Sequence, residues 1–319
     1  MTGYVGRRLL AVVGTLWAMS ILIFAIVHVL PGNVAYTILG EYATPSSVAV
    51  LEAKLGLNDP LPLQYWRWFS AMLHGDFGQS LVMDRPAAPV ILDALGRSTI
   101  LAGLSFLMVA SLGITLGVYA ATHKGTLSDR VLALAQFLFI AVPDFFWAIL
   151  AILFFASLLH WLPATGYEPL AEVGLLAWLS HLILPVCVLA IGLIAHVSRL
   201  TRSSMLDVLD SRYILAARAK GLPERLVLRR HALPNALLPT ITILAIDAGI
   251  LIGGVVVVET VFAYPGLGRL LVFAIEHHDL PLLQAGMMMI TAIYALANLA
   301  ADLAYAFLNP RIRFGGAAA

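Results

Sequence analysis

Apolar residues run through this chain in six long stretches: approximately Leu9–Leu30, Ser98–Thr122, Val131–Leu159, Trp178–Val197, Ala236–Val258 and Leu280–Phe307. A helix crossing a bilayer needs about 20 mainly apolar residues, so each stretch predicts one span. The first, second and fourth hold no Asp, Glu, Lys or Arg; the others hold one acid each, Asp144, Asp247 and Asp302. Pro143, Pro185 and Pro239 predict bends or helix starts, which neighbouring helices can accommodate in a membrane. The first two spans are separated by a long mixed segment, Pro31 to Arg97. It has helix-like pieces at Thr44–Leu55 and Leu63–Leu73 and a turn-rich stretch at His74–Ser80. It reads either as a small folded cap over the spans or as a docking surface. The predicted fold is an all-α integral membrane protein of six transmembrane helices. Its parts are an N-terminus with the first helix (1–30), an extracytoplasmic loop domain (31–97), a five-helix core (98–308) and a tail (309–319).

Composition agrees with this pattern. Of 319 residues 61% are hydrophobic and 12% charged, which no soluble domain of this length matches. The net charge of +1 gives no reason to expect nucleic acid. Cys187 is the single cysteine, so no intrachain disulfide can form. Leu9–Leu30 follows Arg7 and Arg8 as a signal peptide would, but it is too long and lacks a small-residue cleavage site; it reads as a retained span. Basic residues set the expected orientation. With the N-terminus in the cytoplasm, 14 Lys and Arg fall on that side and 5 on the other (Lys54, Arg67, Arg85, Arg97 and Arg269). Both termini are then cytoplasmic. Trp161 and Trp178 flank an outer loop, as interface aromatics do.

The most basic stretch is Ser211–Pro239, where Arg212, Arg218, Lys220, Arg225, Arg229 and Arg230 oppose only Glu224. Tyr213–Lys220 is rich in helix formers. Gly221 is the residue type that closes a helix in the left-handed conformation, and Pro223 suits the first turn of the next. Two short helices with a tight joint are expected, with Pro234 and Pro239 leading into the fifth span. By charge alone this is a basic loop on the positive side.

Bond-making chemistry is missing from the sequence. There is no phosphate-cradling G-x4-G-K-[ST] loop, no His-Glu-x-x-His, no cysteine pair and no G-x-S-x-G elbow. The intramembrane acids are the costly residues, each about 2.5–3.5 kcal/mol at a helix centre on insertion scales. Asp144 and Asp247 either line a translocation pathway or are held by neighbouring helices. Asp302, near the end of its span, reads as structural, with Arg311 or Arg313 in reach. His277, His278 and Asp279 look like metal ligands, but adjacent loop histidines rarely close a site by themselves, and no metal site is assigned.

Several motifs together resemble a known family. Leu215-Ala216-Ala217, then Gly221, then His231-Ala232-Leu233-Pro234 stand in the register of the E-A-A-x3-G-x9-I-x-L-P loop of binding-protein-dependent ABC importer permeases. Leu215 and His231 depart from that pattern. A-R-A-K-G followed by R-H-A-L-x-N-A-L-x-P is similar to the dipeptide/oligopeptide/nickel subfamily. So are the RRLL near the N-terminus, LGLNDPLPLQYWRWFSAMLHGDFGQS, LGVYAATHKGTLSDR, ETVFAYPGLGRLL and NLAADLAYAFLNPRIR. Asp279 and Pro281 fit its Asp-x-Pro, and Asn298 with Asp302 its N-x3-D. The resemblance covers essentially the whole chain.

The resemblance implies a type I ABC importer permease subunit in a bacterial inner membrane. The partners it implies are a second, homologous permease chain, two ATPases carrying ATP and Mg, and an external solute-binding protein. No cofactor is expected in this chain. Residues 200–235 would form the coupling loop to the ATPase, with Leu215, Ala216, Ala217, Arg218, Ala219, Lys220, Gly221, His231, Leu233 and Pro234 as its contacts and joints. Glu259, Pro265, Gly266 and Gly268 would shape an outer gate. The implied cargo is a di- or oligopeptide, with nickel or glutathione as alternatives. A proton-coupled transporter using Asp144 and Asp247 is a further reading, weakened by the missing inverted repeat. An intramembrane enzyme is disfavoured by the missing nucleophile.

Overall fold

The computed structural model describes residues 2–29, 43–55 and 58–308. In chain order it contains α1 (Thr2–Val29), α2 (Pro45–Leu55), α3 (Leu61–Leu73), the short strands β1 (Gln79–Ser80) and β2 (Arg85–Pro86), and α4 (Ala87–Thr122). Next come α5 (Leu127–Ala141), α6 (Asp144–Ala151) with a π-helical continuation Ile152–Leu158, α7 (Leu170–Leu209) and α8 (Arg212–Ala219). A turn at Glu224–Leu226 then runs through a π-helical segment, Val227–Ala232, into α9 (Leu233–Val261), followed by α10 (Leu267–Glu276) and α11 (Leu280–Leu308).

Among the described residues five helices are long and apolar enough to cross a membrane, and α5 with α6 makes a sixth if the bent pair is one span. Large apolar side chains face outward along them, such as Leu10, Leu107, Leu134, Phe137 and Leu176. In water such a surface would be a liability; in lipid it is the solvent-facing side. The helices overrun the stretches expected from hydropathy. The 36 residues of α4 reach about 54 Å at 1.5 Å per residue, well beyond a hydrocarbon core of about 30 Å.

The third stretch, expected as one span, is two helices meeting at 106°. Proline excludes the α conformation from the residue before it. Val142 accordingly sits at φ −104, ψ 129, and Pro143 caps α6 at φ −62, ψ 149. The second short helix expected after Gly221 is likewise not separate, since Glu224 to Ala232 runs continuously into α9. Pro239 lies inside α9 and Pro185 inside α7, while α7 breaks at Gly174 (φ 78, ψ 172).

The chain forms two compact units. The first holds Thr99–Tyr264 and the chain from Ala297 onward. Its core includes Leu101, Leu182, Leu189, Leu251, Val258, Phe262 and Tyr264. Within it α4 approaches α7 very closely. A Cβ on Gly117 would stand 2.5 Å from Thr201 Cβ and 2.6 Å from the Ser198 carbonyl, and one on Gly113 2.8 Å from Val197 Cγ1. Small residues four apart are what permit such contact between membrane helices. The same part of α7 is tied to other helices by polar groups. Gln136 Nε2 donates to Ser198 Oγ at 2.8 Å, Thr201 and Thr240 hydroxyls lie 3.1 Å apart, and Arg202 forks onto Asp129 at 2.7 and 2.8 Å. Asp129 also accepts from the Gly125 N–H while its own N–H reaches Thr126 Oγ1, a box that starts α5.

The second unit holds Thr2–Ser98 and Pro265–Leu296. Ser20 and Tyr65 hydroxyls meet at 2.8 Å, and Phe24, Tyr65, Trp68 and Phe69 pack as an aromatic cluster that joins α1 to α3. Asp279, fully buried, accepts hydrogen bonds from the Ser80 hydroxyl and the Val82 N–H, and its Oδ1 faces the Leu282 N–H at 3.3 Å. One carboxylate thus caps α11 and anchors the hairpin.

Gly103 has open space around it, whereas Gly117 does not. Both lie in α4, so alanine brings each the same gain in helix propensity, about 1 kcal/mol. Gly103→Ala is expected to be neutral or stabilising. Gly117→Ala is expected to cost about 1–3 kcal/mol through overpacking. Thermal unfolding of the two purified variants in detergent measures the contrast.

Candidate functional site

The basic loop is a short amphipathic helix set on the first unit. Ile214 and Ala217, three residues apart, face a small core of Met205, Ala121, Val227, Ala232 and Ala236. Tyr213, Leu215, Ala216, Arg218, Ala219 and Lys220 are exposed. Leu215 leaves 55% of its surface bare, although its neighbour Ile214 is fully buried. Gly221 closes α8 at φ +74. Its N–H donates to the Arg218 carbonyl and the Leu222 N–H to that of Ala217, which is the Schellman arrangement. Arg218 forks onto Glu224 across this joint at 3.1 and 2.6 Å, and that bond raises the guanidinium above its ordinary pKa, so it stays charged. Asn235 Nδ2 donates to the His231 carbonyl at 2.8 Å; His231 and Leu233 are half-buried and Pro234 is exposed. Of the loop residues named from the sequence, Leu215, Ala216, Arg218, Ala219 and Lys220 form an outward surface with a glycine-closed joint at Gly221, while Ala217 turns inward and His231 and Leu233 are half-buried.

Asp144 and Asp247 come to successive turns of one face of α7. The ideal Cβ position of Gly192 lies 3.8 Å from Asp144 Oδ1, and His196 Nδ1 lies 3.3 Å from Asp247 Oδ2. Asp247 is fully buried and Asp144 half-buried. Asp144 opens α6 in its first turn, where the helix dipole favours a negative charge. His196, Gln136 and Ser198 are not Asp, Glu, Lys or Arg, so the pattern of charged residues in the apolar stretches does not mark them. Uncharged polar residues inside a predicted span would have been the signal.

The expected outer-gate residues divide between the units. Glu259 is fully buried in the first, where its carbonyl accepts from the Tyr264 N–H at 2.8 Å. Ala263, just past α9 in the first unit, has φ 51. In the second unit Gly266 caps α10, Gly268 lies in its first turn, and the Leu267 N–H donates to Ser98 Oγ at 2.8 Å. Pro265 and Gly266 line a cavity of about 250 Å³ together with Arg85, Arg97 and Arg269. The Asp279 carboxylate is turned inward onto Ser80, away from any site shared with His277 and His278, and His277 Nδ1 pairs with the Phe273 carbonyl. Asp302 lies in the first unit, while Arg311 and Arg313 fall outside the described residues.

These features define a multi-span helical membrane protein with polar groups gathered between its helices and an amphipathic helix displayed at one end. Comparison with known proteins gives the family. Residues 113–314 match the binding-protein-dependent transport system inner membrane component, and residues 1–98 match its N-terminal companion. The chain belongs to this family of ABC transporter permeases. It is 39% identical over 311 residues to the "Probable peptide ABC transporter permease protein y4tP" of Sinorhizobium fredii, covering 98% of this chain and 99% of that one. It is 37% identical over 314 residues to the glutathione transport system permease protein GsiC of Salmonella paratyphi A, covering 98% and 100%. The fold is similar to that of the MetNI methionine ABC transporter in its inward-facing form, with TM-score 0.55, 16% identity, and coverage of 69% of this chain and 96% of that one. The protein is a multi-pass ABC importer permease of the bacterial inner membrane, and membership in this family sets aside an ion-coupled transporter.

Because Gly221 occupies the left-handed region, asparagine, which tolerates it, is expected to preserve stability closely. Valine is expected to cost about 1–2 kcal/mol. Thermal unfolding of Gly221→Asn and Gly221→Val distinguishes the two.

Proposed function

We propose that this chain is the force-receiving, path-lining subunit of an importer for short peptides. The observation that carries this reading is the exposed face of α8, held by a closed joint to the two helices, α7 and α9, that bring His196 and Asp247 together. Tyr213, Leu215, Ala216 and Ala219 offer a partner an apolar patch ringed by Arg212, Arg218 and Lys220. A helix on a short, rigid joint moves with whatever holds it. A groove in an ATPase that takes this face could therefore tilt α7 and α9 and change access to the acids between them. ATP and Mg belong to that partner; this chain contributes no phosphate-binding loop.

The orientation that fits is cytoplasmic termini with α8 on the same side, as the 14-to-5 distribution of basic residues favours. An external binding protein would deliver cargo on the opposite face, and a homologous permease chain would supply the other half of the path. Glu259, Pro265, Gly266 and Gly268 are assigned to the outer gate. Peptide cargo is supported by relatives named for peptide and glutathione transport, and glutathione is itself a small peptide.

With the assembled transporter in proteoliposomes, Gly221→Val at wild-type abundance is expected to lose peptide uptake while its partner ATPases stay bound. Uptake equal to wild type would remove the coupling role of this joint. With an impermeant maleimide, a cysteine placed at Ser46 is expected to react in intact cells and one placed at Ser128 only once the cytoplasmic face is opened to the reagent. Labelling of both from one face would overturn the orientation.

A further inference from the structure

The contact of α7 with α6 and α9 gathers polar groups that lack partners, among them one oxygen of Asp247 and the buried indole N–H of Trp147. Gly192 and His196 stand one turn apart on one face of α7. The Gly192 Cβ position is 3.8 Å from both Asp144 Oδ1 and the Phe139 carbonyl, and no closer heavy atom from beyond its own helix surrounds it. The Phe139 carbonyl would ordinarily receive the N–H of residue 143, but that residue is proline and has none. One turn on, Asp247 is fully buried, and its Oδ1 has no hydrogen-bond partner among the described residues. Its other oxygen meets His196, whose side chain is still 41% exposed. Phe139 and Trp147 pack edge to face at 5.2 Å beside the break, an aromatic wall near the same carbonyl.

An ionised carboxylate only accepts hydrogen bonds, and leaving one of its oxygens buried and bare is costly. What the place lacks is a small group with several donors and a positive charge. A primary ammonium has three donors and no acceptor, and aromatic faces add favourable cation–π contact. Lipid and apolar side chains supply neither. The missing side chain at Gly192 leaves room for such a group against α7.

The geometry points to a binding site for a primary ammonium group, the α-amino end of a peptide, formed by Asp144, Asp247 and the Phe139 carbonyl along the Gly192–His196 face of α7. This assignment rests on the importer reading for its cargo, but its chemistry is testable without transport. Asp247 and Asp144 act on the ammonium directly. His196 is a positioning residue that fixes one Asp247 oxygen and leaves the other for the ligand. Gly192 is the gap the ligand fills.

The test titrates the full chain in lipid nanodiscs with alanine amide, a small primary ammonium, and with N-acetylalanine amide, whose acetylated nitrogen carries no charge, by isothermal calorimetry. Alanine amide is expected to bind, and the acetylated probe about tenfold more weakly or not at all, the scale of a lost hydrogen bond to a charged group. Asp247→Asn, which keeps size and hydrogen bonding, and Gly192→Val, which fills the gap, should each weaken alanine amide binding by a similar factor. Thermal unfolding of both variants shows whether the fold is kept. Equal binding of the two probes, no binding of either, or undiminished binding by both folded variants would overturn the site. Peptide uptake by the assembled transporter is a separate measurement. If uptake fails while the ammonium binds, the importer reading fails alone; if uptake persists without ammonium selectivity, the site fails alone.

Discussion

The close approach of α4 to α7 at Gly113 and Gly117 fixes which face of α7 lies against α4. Lipid provides no hydrophobic drive between apolar helices, so their association depends on contact and on polar groups that need partners. Two glycines four residues apart let α4 lie against Val197, Ser198 and Thr201. On its other sides the same stretch of α7 is fastened by Gln136, Thr240, Asp129 and Asp247. Ser198, Thr201 and Thr240 are fully buried, and each has a hydrogen bond. An exposed hydroxyl is left with carbonyls of its own helix, as Ser111 and Thr115 are, so each pairing between helices also fixes which face turns inward. Rotation of α7 would break all of these contacts at once.

A break in the third span has the opposite energetics. Straight helices satisfy their own backbone, and a proline in mid-membrane removes a donor and frees a carbonyl. The bend at Val142–Pro143 is tolerated where Gly192 of α7 lies against it and Asp144 begins the next helix. Membrane backbone leaves regular geometry only when buried in protein or beside a polar cavity. The break, the acid and the glycine are therefore parts of one local solution.

Helix ends repeat one device. Gly221, Ala263 and His278 each adopt positive φ just past a helix, with the following N–H returning to a carbonyl five residues back. Such caps fix the direction of the outgoing chain within a few residues. After α8 the cap turns the chain into Glu224 and on into α9, so the displayed helix is joined to the membrane core by a short, hydrogen-bonded link. Elsewhere the caps use Ala and His, residues for which the left-handed region is costly, so tertiary packing must hold them there.

Five of the six apolar stretches are long helices among the described residues and the third is a bent pair, because a membrane demands long apolar stretches and leaves their sequence signature plain; the helix-like pieces near residues 45–55 and 61–73 are helices as well. Gly221 as a helix terminator was also legible, since few residue types adopt its conformation. The limits of α4 and α7 were not, because their ends leave the hydrocarbon, where hydropathy no longer marks a helix. The 106° bend at Pro143 could be foreseen as a break but not as an angle, which depends on what packs beside it. The pairing of His196 with Asp247, the place of Asp144 against Gly192, and the inward turn of Asp279 onto Ser80 join residues far apart in sequence. Sequence marks an acid in an apolar stretch as costly; only the packing of α6, α7 and α9 decides which donors reach it and which oxygen is left without one.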